Sequence, residues 1–119
     1  MKVDVKSGFL PHEVEDELLR FTTEIDVVMN QVVAADNDAT KATIAYEIAM
    51  ARAVISSTGR NAEERKAMAL LACENEYVAH EMAGLVLRTA RRRLTELERK
   101  IEILRTFAAN LRVQSLSGP

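Results

Sequence analysis

Apolar residues recur along the first half of the chain with alternating spacings of four and three residues. This is the heptad pattern of a helix that packs against another helix. The large members of the series are Val14, Leu18, Phe21, Ile25, Val28 and Val32. The series continues in phase through smaller residues at Ala35, Ala39, Ala42, Tyr46, Ala49 and Ala53. Because Pro11 suits the first turn of a helix, the pattern predicts one helical arm over residues 11–57.

The segment Asp36, Asn37 and Asp38 is the weak point of this arm. Asp and Asn are poor helix formers in a helix interior and are favoured at helix starts. No Gly or Pro accompanies them, and the heptad phase is kept across them, which favours a continuous helix. Two all-α architectures stay open: a long antiparallel helical hairpin, and a three-helix bundle broken near residues 36–38.

A strong turn signal follows at residues 57–61. Gly59 is suited to the left-handed conformation that closes many helices. Asn61 is suited to cap the next helix, with Glu64 three residues later to complete a capping box. From Ala62 to residue 113 only Gly84 interrupts a chain otherwise free of Gly and Pro, which predicts a second arm over 62–113.

The apolar pattern of the second arm falls into two parts. The first part is Leu71, Asn75, Val78, Met82 and Leu85, and the second is Leu94, Leu97, Ile101, Leu104, Ala108 and Leu111. The two parts differ in phase by about two residues near 86–90, which predicts a local discontinuity in the supercoil. A fold at Gly59 pairs the arms so that facing residue numbers sum to about 118.

This pairing predicts a single helical-hairpin domain over residues 11–113, between a flexible segment at 1–10 and a flexible tail at 114–119. Large residues face large ones near the open end, and small residues face small ones in the middle. The predicted helix–helix interface consists of Val14, Leu18, Phe21, Ile25, Val32, Ala35, Ala39, Tyr46, Ala79, Ala83, Leu94, Leu97, Ile101 and Leu104.

A second apolar stripe lies outside this interface, at Ile44, Ile48, Val54, Ile55, Leu70 and Leu87. One two-helix hairpin has too little core to be stable by itself. The stripe therefore predicts self-association into a four-helix bundle dimer or a larger helical oligomer.

Charge is distributed unevenly, although the net charge of the 119 residues is only −2. Residues 1–50 carry four basic and ten acidic residues, whereas residues 86–112 carry eight basic and three acidic residues. In a hairpin the acidic arm lies beside the basic arm, which favours the antiparallel register. The candidate phosphate contacts are Arg88, Arg91, Arg92, Arg93 and Arg99. Because no aromatic residues interleave with them for base stacking, we expect any nucleic-acid binding to be weak.

No residue cluster predicts an enzyme, a metal site or a cofactor. Cys73, Glu76 and His80 share one helical face but lack a CxxC or HExxH signature. Ser56, Ser57 and Thr58 suit a turn better than a nucleophile. One cysteine and the lack of an apolar leader or a membrane-length apolar run predict a cytoplasmic protein that spans no membrane.

Several segments carry a resemblance to a known class of proteins: Gly59, residues 62–67, 94–97 and 101–111, and the AYEIAMARA segment at 45–53. They resemble small all-helical coiled-coil proteins of unknown function from tailed bacteriophages of actinobacteria. The resemblance implies a role as an accessory to phage DNA recombination or replication. With the lack of catalytic motifs and the second apolar stripe, we expect a non-enzymatic oligomeric adaptor that binds itself and a phage or host protein. Two alternatives stay open, namely an inhibitor that docks on a host protein and a virion assembly chaperone or scaffold.

Overall fold

The computed structural model describes residues 11–116, and the side chains of residues 11–114. The chain forms α1 (Pro11–Ser56), α2 (Ala62–Ala72) and α3 (Glu74–Leu116). No strand occurs within 11–116, and the predicted all-α class is confirmed. The segment 1–10 lies outside the described residues. Helix α3 continues three residues past the predicted end at 113, and the rest of the predicted tail, 117–119, also lies outside them.

Helix α1 runs without interruption through residues 36–38, so the alternative of a three-helix bundle broken there is wrong. Asp36, Asn37 and Asp38 are all exposed, while Ala35 is buried on the heptad face. The polar side chains can therefore stay in water. Their weak helix propensity costs only a fraction of a kcal/mol, about 0.7 at most per residue, and the packing of the heptad face outweighs it.

The connection from α1 to α2 occupies residues 57–61, as predicted. The Asn61 side chain accepts a hydrogen bond of 2.8 Å from the backbone N–H of Glu64, which caps α2. Gly59 does not adopt the left-handed backbone that the sequence suggested. A Cβ at this position would lie 2.7 Å from the backbone nitrogen of Arg65, so glycine is needed there because the loop packs closely on the first turn of α2.

The second arm is divided at Cys73, which the sequence did not predict. Cys73 has φ −104° and ψ 22° and separates α2 from α3. Its N–H still donates to the carbonyl of Ala69, at 3.0 Å, and its own carbonyl accepts from the N–H of Tyr77, at 2.9 Å. Because hydrogen bonds four residues apart continue through it, Cys73 is a one-residue irregularity in an otherwise helical arm.

The chain divides into two compact units, each built from a pair of antiparallel helical segments. Within the described residues, unit 1 comprises 11–30 and 92–116, and unit 2 comprises Gln31–Arg91. The core of unit 1 contains Val14, Phe21, Val28, Leu97, Ile101 and Leu104, and the half-buried Leu18, Ile25, Leu94, Phe107, Ala108 and Leu111 pack against it. In this unit the residues of the predicted interface lie in or against the core.

Unit 2 differs from the prediction on its α2–α3 side. The residues that face α1 are Ala69, Cys73, Glu76, His80, Ala83 and Leu87. Leu71, Val78, Met82 and Leu85, which the sequence placed on this face, are 78%, 51%, 55% and 50% exposed. Ala79 is also exposed, in contrast to its predicted place in the helix–helix interface, whereas Ala83 and the α1 residues Val32, Ala39 and Tyr46 are half-buried and Ala35 is buried.

The predicted phase discontinuity near 86–90 is absent. From Ala69 to Leu111 the inward positions follow one another at spacings of four and three residues without a break. Because α3 is continuous, the rotation that Leu94, Leu97 and Ile101 set extends back along the helix and brings Leu87 and Ala83 inward. For the inward face to change along α3, residues would have to be inserted into or deleted from the heptad pattern.

The pairing register is also displaced from the predicted one. In unit 2, Thr43 lies beside His80 and Tyr46 lies beside Tyr77, so facing residue numbers sum to about 123 rather than 118. Each residue of α1 therefore faces a residue about five positions further along the second arm than predicted, which is a displacement of about 7.5 Å. It arises at the loop, where the Ser57 hydroxyl contacts the Met68 sulfur at 3.6 Å, so that Ser57 lies beside the second turn of α2 rather than its start.

Candidate interaction surfaces

The helix–helix contact of unit 2 contains a cluster of polar and aromatic side chains. Thr43 Oγ1 and His80 Nδ1 are 2.9 Å apart and share a hydrogen bond. The Tyr46 ring stacks on His80, with centroids 5.4 Å apart and planes at 14°, and meets Tyr77 edge-on at 5.6 Å. Because a polar pair between helices is satisfied only in one alignment, the cluster fixes the register of α1 against α3.

Cys73, Glu76 and His80 share one helical face, as their spacing predicted, and in the structure that face is the inward face of the second arm. Cys73 is buried and 3% exposed, and Glu76 and His80 are half-buried. Among the described residues there is no group of three or more His, Cys, Asp or Glu side chains placed to hold a metal ion. Nothing in the sequence pattern indicated Thr43, whose hydroxyl group forms a hydrogen bond with Nδ1 of the His80 ring.

Two of the predicted phosphate-contacting arginines form ion pairs with the acidic arm. Within unit 2, Arg91 lies 3.6 Å from Asp36, and within unit 1, Arg93 lies 3.1 Å from Glu24. Both pairs are partly exposed, and pairs of this kind contribute about 0–1 kcal/mol each. They nevertheless join the two arms, and they show that the acidic and basic arms are adjacent in each unit.

The other three predicted arginines, Arg88, Arg92 and Arg99, are exposed, and among the side chains of residues 11–114 none of them has an ion-pair partner. Arg92 and Arg99 are seven residues apart on one face of α3 in unit 1. Nearby, the Lys100 ammonium lies over the Phe21 ring at 5.7 Å. The five predicted phosphate contacts therefore divide into two ion-paired arginines and three exposed ones.

We expect this arrangement to bind nucleic acid only weakly, because two exposed arginines on a face without stacking aromatics release few counterions. In a titration of single- and double-stranded DNA at physiological salt, the dissociation constant should exceed about 10 µM. Binding should weaken further as salt is raised. Submicromolar affinity that disappears on Arg92→Ala with Arg99→Ala would contradict this and identify a true phosphate-binding face.

Unit 2 presents large apolar side chains on its outside. On α1 they form a set that we call the α1 stripe: Ile44, Ile48 and Ile55. On α2 and α3 the exposed apolar residues Leu71, Val78, Met82 and Leu85, with the polar Asn75 in the same row, form a set that we call the outer stripe. The second apolar stripe that the sequence predicted is exposed at Ile44, Ile48, Val54, Ile55 and Leu70, but Leu87 is buried because it belongs to the inward face.

Unit 2 is thus more apolar outside than inside on its second arm. The inward face carries the small or polar Ala69, Cys73, Glu76, His80 and Ala83, with one large aliphatic residue, Leu87. The outer stripe carries leucine, valine and methionine at the same heptad spacing. Contiguous exposed apolar surface is uncommon on monomers and marks sites of protein contact. The arrangement is suited to binding a further helix.

A shallow apolar groove lies at one end of unit 1. It has a volume of about 350 Å³ and is lined by Pro11, Val14, Glu15, Leu18, Ala108, Leu111 and Arg112. The start of α1 and the end of α3 form its two walls. Its lining carries one acidic side chain, one basic side chain and no nucleophile. We therefore interpret the groove as a gap between two packed helices and not as a catalytic site.

Comparison with known proteins adds no relative. No family model, no curated protein and no solved structure matches this chain. Within residues 11–116, no helix is long and apolar enough to cross a membrane. The surfaces of units 1 and 2 are therefore the basis for a proposed function.

Proposed function

We propose that this protein is a non-enzymatic helical adaptor that acts by packing the outer faces of unit 2 against helices of other polypeptide chains. The main support for the proposal is the reversed apolarity of unit 2. Apart from the buried Leu87, the large aliphatic side chains of its second arm are exposed, while alanine, histidine and threonine lie between its helices.

The energetics favour a covered outer face. Burying one Val, Leu or Met side chain contributes about 1.5–3 kcal/mol. The outer stripe offers four such side chains in one row, at Leu71, Val78, Met82 and Leu85, and the α1 stripe offers three more. The spacing of four and three residues matches the knobs of a helix that lies along the stripe. A helical partner therefore fits this surface better than an extended peptide.

The groups with chemical reactivity support an adaptor rather than a catalyst. Cys73 is buried, and His80 is held by Thr43 and by stacking on Tyr46. These side chains contribute to helix pairing and face α1 rather than an open pocket. The resemblance to phage helical proteins supports a partner in phage DNA recombination or replication, and the exposed Arg88, Arg92 and Arg99 suit a partner that carries acidic groups.

Site-specific photo-crosslinking tests the adaptor function. A photoreactive amino acid at Val78 or Ile48 should form covalent links to a polypeptide in the cells that produce the protein. The matched controls are Thr40 and Glu63, which are also exposed on unit 2 but outside both stripes. Crosslinks that are no more frequent from Val78 and Ile48 than from the controls would contradict the proposal.

A further inference from the structure

The outer stripe has the pattern of a coiled-coil core although no helix of the same chain covers it. Leu71, Asn75, Val78, Met82 and Leu85 follow one another at spacings of four, three, four and three residues, and Thr89 continues the series. All of them are exposed. A single Asn in an apolar seam of this kind restricts the register and the number of helices that associate.

The two sides of the outer stripe differ in chemistry. On one side lie Glu74, Glu81 and Arg88, seven residues apart and all exposed, so charge along this side changes from acidic to basic. On the other side lie Ala72, Ala79 and Val86, also seven residues apart and exposed. The two alanines let a second helix approach closely, and the charges favour one direction of that helix.

We propose that the occupant of the outer stripe is a second copy of this chain, which lies antiparallel about a twofold axis beside Glu81 and Met82. The proposal rests on the adaptor function above and names one partner of that surface. In a twofold contact residue i meets residue j of the other copy, and j meets i. An axis beside Glu81 places Glu74 of each copy against Arg88 of the other, and Val78 against Met82.

Charge complementarity selects this direction. In a parallel pair, the charged side of one copy would lie against the Ala72, Ala79 and Val86 side of the other, so Glu74 and Arg88 would find no partner of opposite charge. In the antiparallel pair the two outer contacts become Glu74 with Arg88, and only Glu81 meets itself. Arg88 is available for this contact, since it has no ion-pair partner among the side chains of residues 11–114.

The antiparallel contact also explains why an alanine lies at the exposed position 79. The sequence predicted Ala79 in a helix–helix interface, and it is exposed in the single chain. It lies beside the proposed axis, on the side of the stripe with small residues. In the dimer it lies between two copies of α3, where a larger side chain would hold the helices apart.

Charge exchange between Glu74 and Arg88 tests the proposal. Sedimentation equilibrium should show dimers that are roughly tenfold weaker for Glu74→Arg or Arg88→Glu, because each change makes two contacts repulsive. The double variant Glu74→Arg with Arg88→Glu should return to near the wild-type affinity, and so should an equimolar mixture of the two single variants. Glu81→Gln should tighten the dimer about twofold, since it removes the one like-charge contact.

The control is Glu98→Arg, at an exposed position of α3 on a different helix face from the outer stripe, which should leave the affinity of the dimer unchanged. A double variant as weak as the weaker single variant would overturn the antiparallel contact, and a wild-type monomer would overturn self-association itself. In either case, a photo-crosslink from Val78 to a different polypeptide would leave the adaptor function standing, so the two proposals fail separately.

Discussion

Leu104→Ala is expected to lower the free energy of unfolding by about 2–5 kcal/mol. Leu104 is 3% exposed in the core of unit 1, where it lies with Leu97 and Ile101. The substitution removes apolar contacts and leaves a cavity that two packed helices cannot close. Urea titration followed by circular dichroism, at one fixed protein concentration, measures the loss.

Ile103→Ala is the matched control for this substitution. Ile103 precedes Leu104 on α3 but is 68% exposed, so its removal should change the free energy of unfolding by about 0.5 kcal/mol or less. Equal effects of the two substitutions would mean that α3 is rotated away from the face that Leu97, Ile101 and Leu104 define. A large effect at Ile103 and none at Leu104 would show that rotation directly.

Leu85→Glu is expected to reduce the mass in solution to that of a single chain while the helical content is retained. Leu85 lies on the outer stripe and is 50% exposed in the single chain, and glutamate is a good helix former. A carboxylate without a partner inside an apolar contact costs several kcal/mol. Light scattering measures the mass, and far-UV circular dichroism measures the helical content.

The control for this prediction is Ile103→Glu, which places the same charge on an exposed apolar residue of α3 outside the outer stripe. Its mass should equal that of the wild-type protein. If Leu85→Glu keeps the wild-type mass as well, the outer stripe takes no part in self-association, and another surface must hold the copies together.

The fold of unit 1 could be predicted from the sequence because both of its helices carry a regular heptad series of large apolar residues on the inward face. Val14, Phe21 and Val28 have no rival on other faces of α1 that is equally large and regular. The same holds for Leu97, Ile101 and Leu104 on α3. Apolar patterning and helix packing select the same face there, so the pattern was a sufficient guide.

The second arm of unit 2 could not be predicted in the same way because its more apolar face is the outer one. Leu71, Val78, Met82 and Leu85 form the stronger heptad pattern, yet Ala69, Cys73, His80 and Ala83 face α1. A signal was nevertheless present in the sequence. Counting back from Leu94 in steps of four and three residues reaches Leu87, Ala83 and His80 without any change of phase.

The turn between α1 and α2 could also be predicted only in part. The Asn61 cap could be predicted because a side chain and a backbone N–H three residues apart form it locally. The register could not, because it depends on how the loop packs over α2 at Gly59 and Met68. The contact between Thr43 and His80 depends on that register, and for this reason the sequence did not place Thr43 in the cluster.

Light scattering of the wild-type chain over about 1–100 µM tests most directly whether the outer stripe is covered by a second copy, since association of this kind depends on concentration. The account predicts a mass of at least twice the 13.3 kDa of one chain at the upper end of this range. A mass of 13.3 kDa at every concentration, from a chain that is fully helical by circular dichroism, would contradict it.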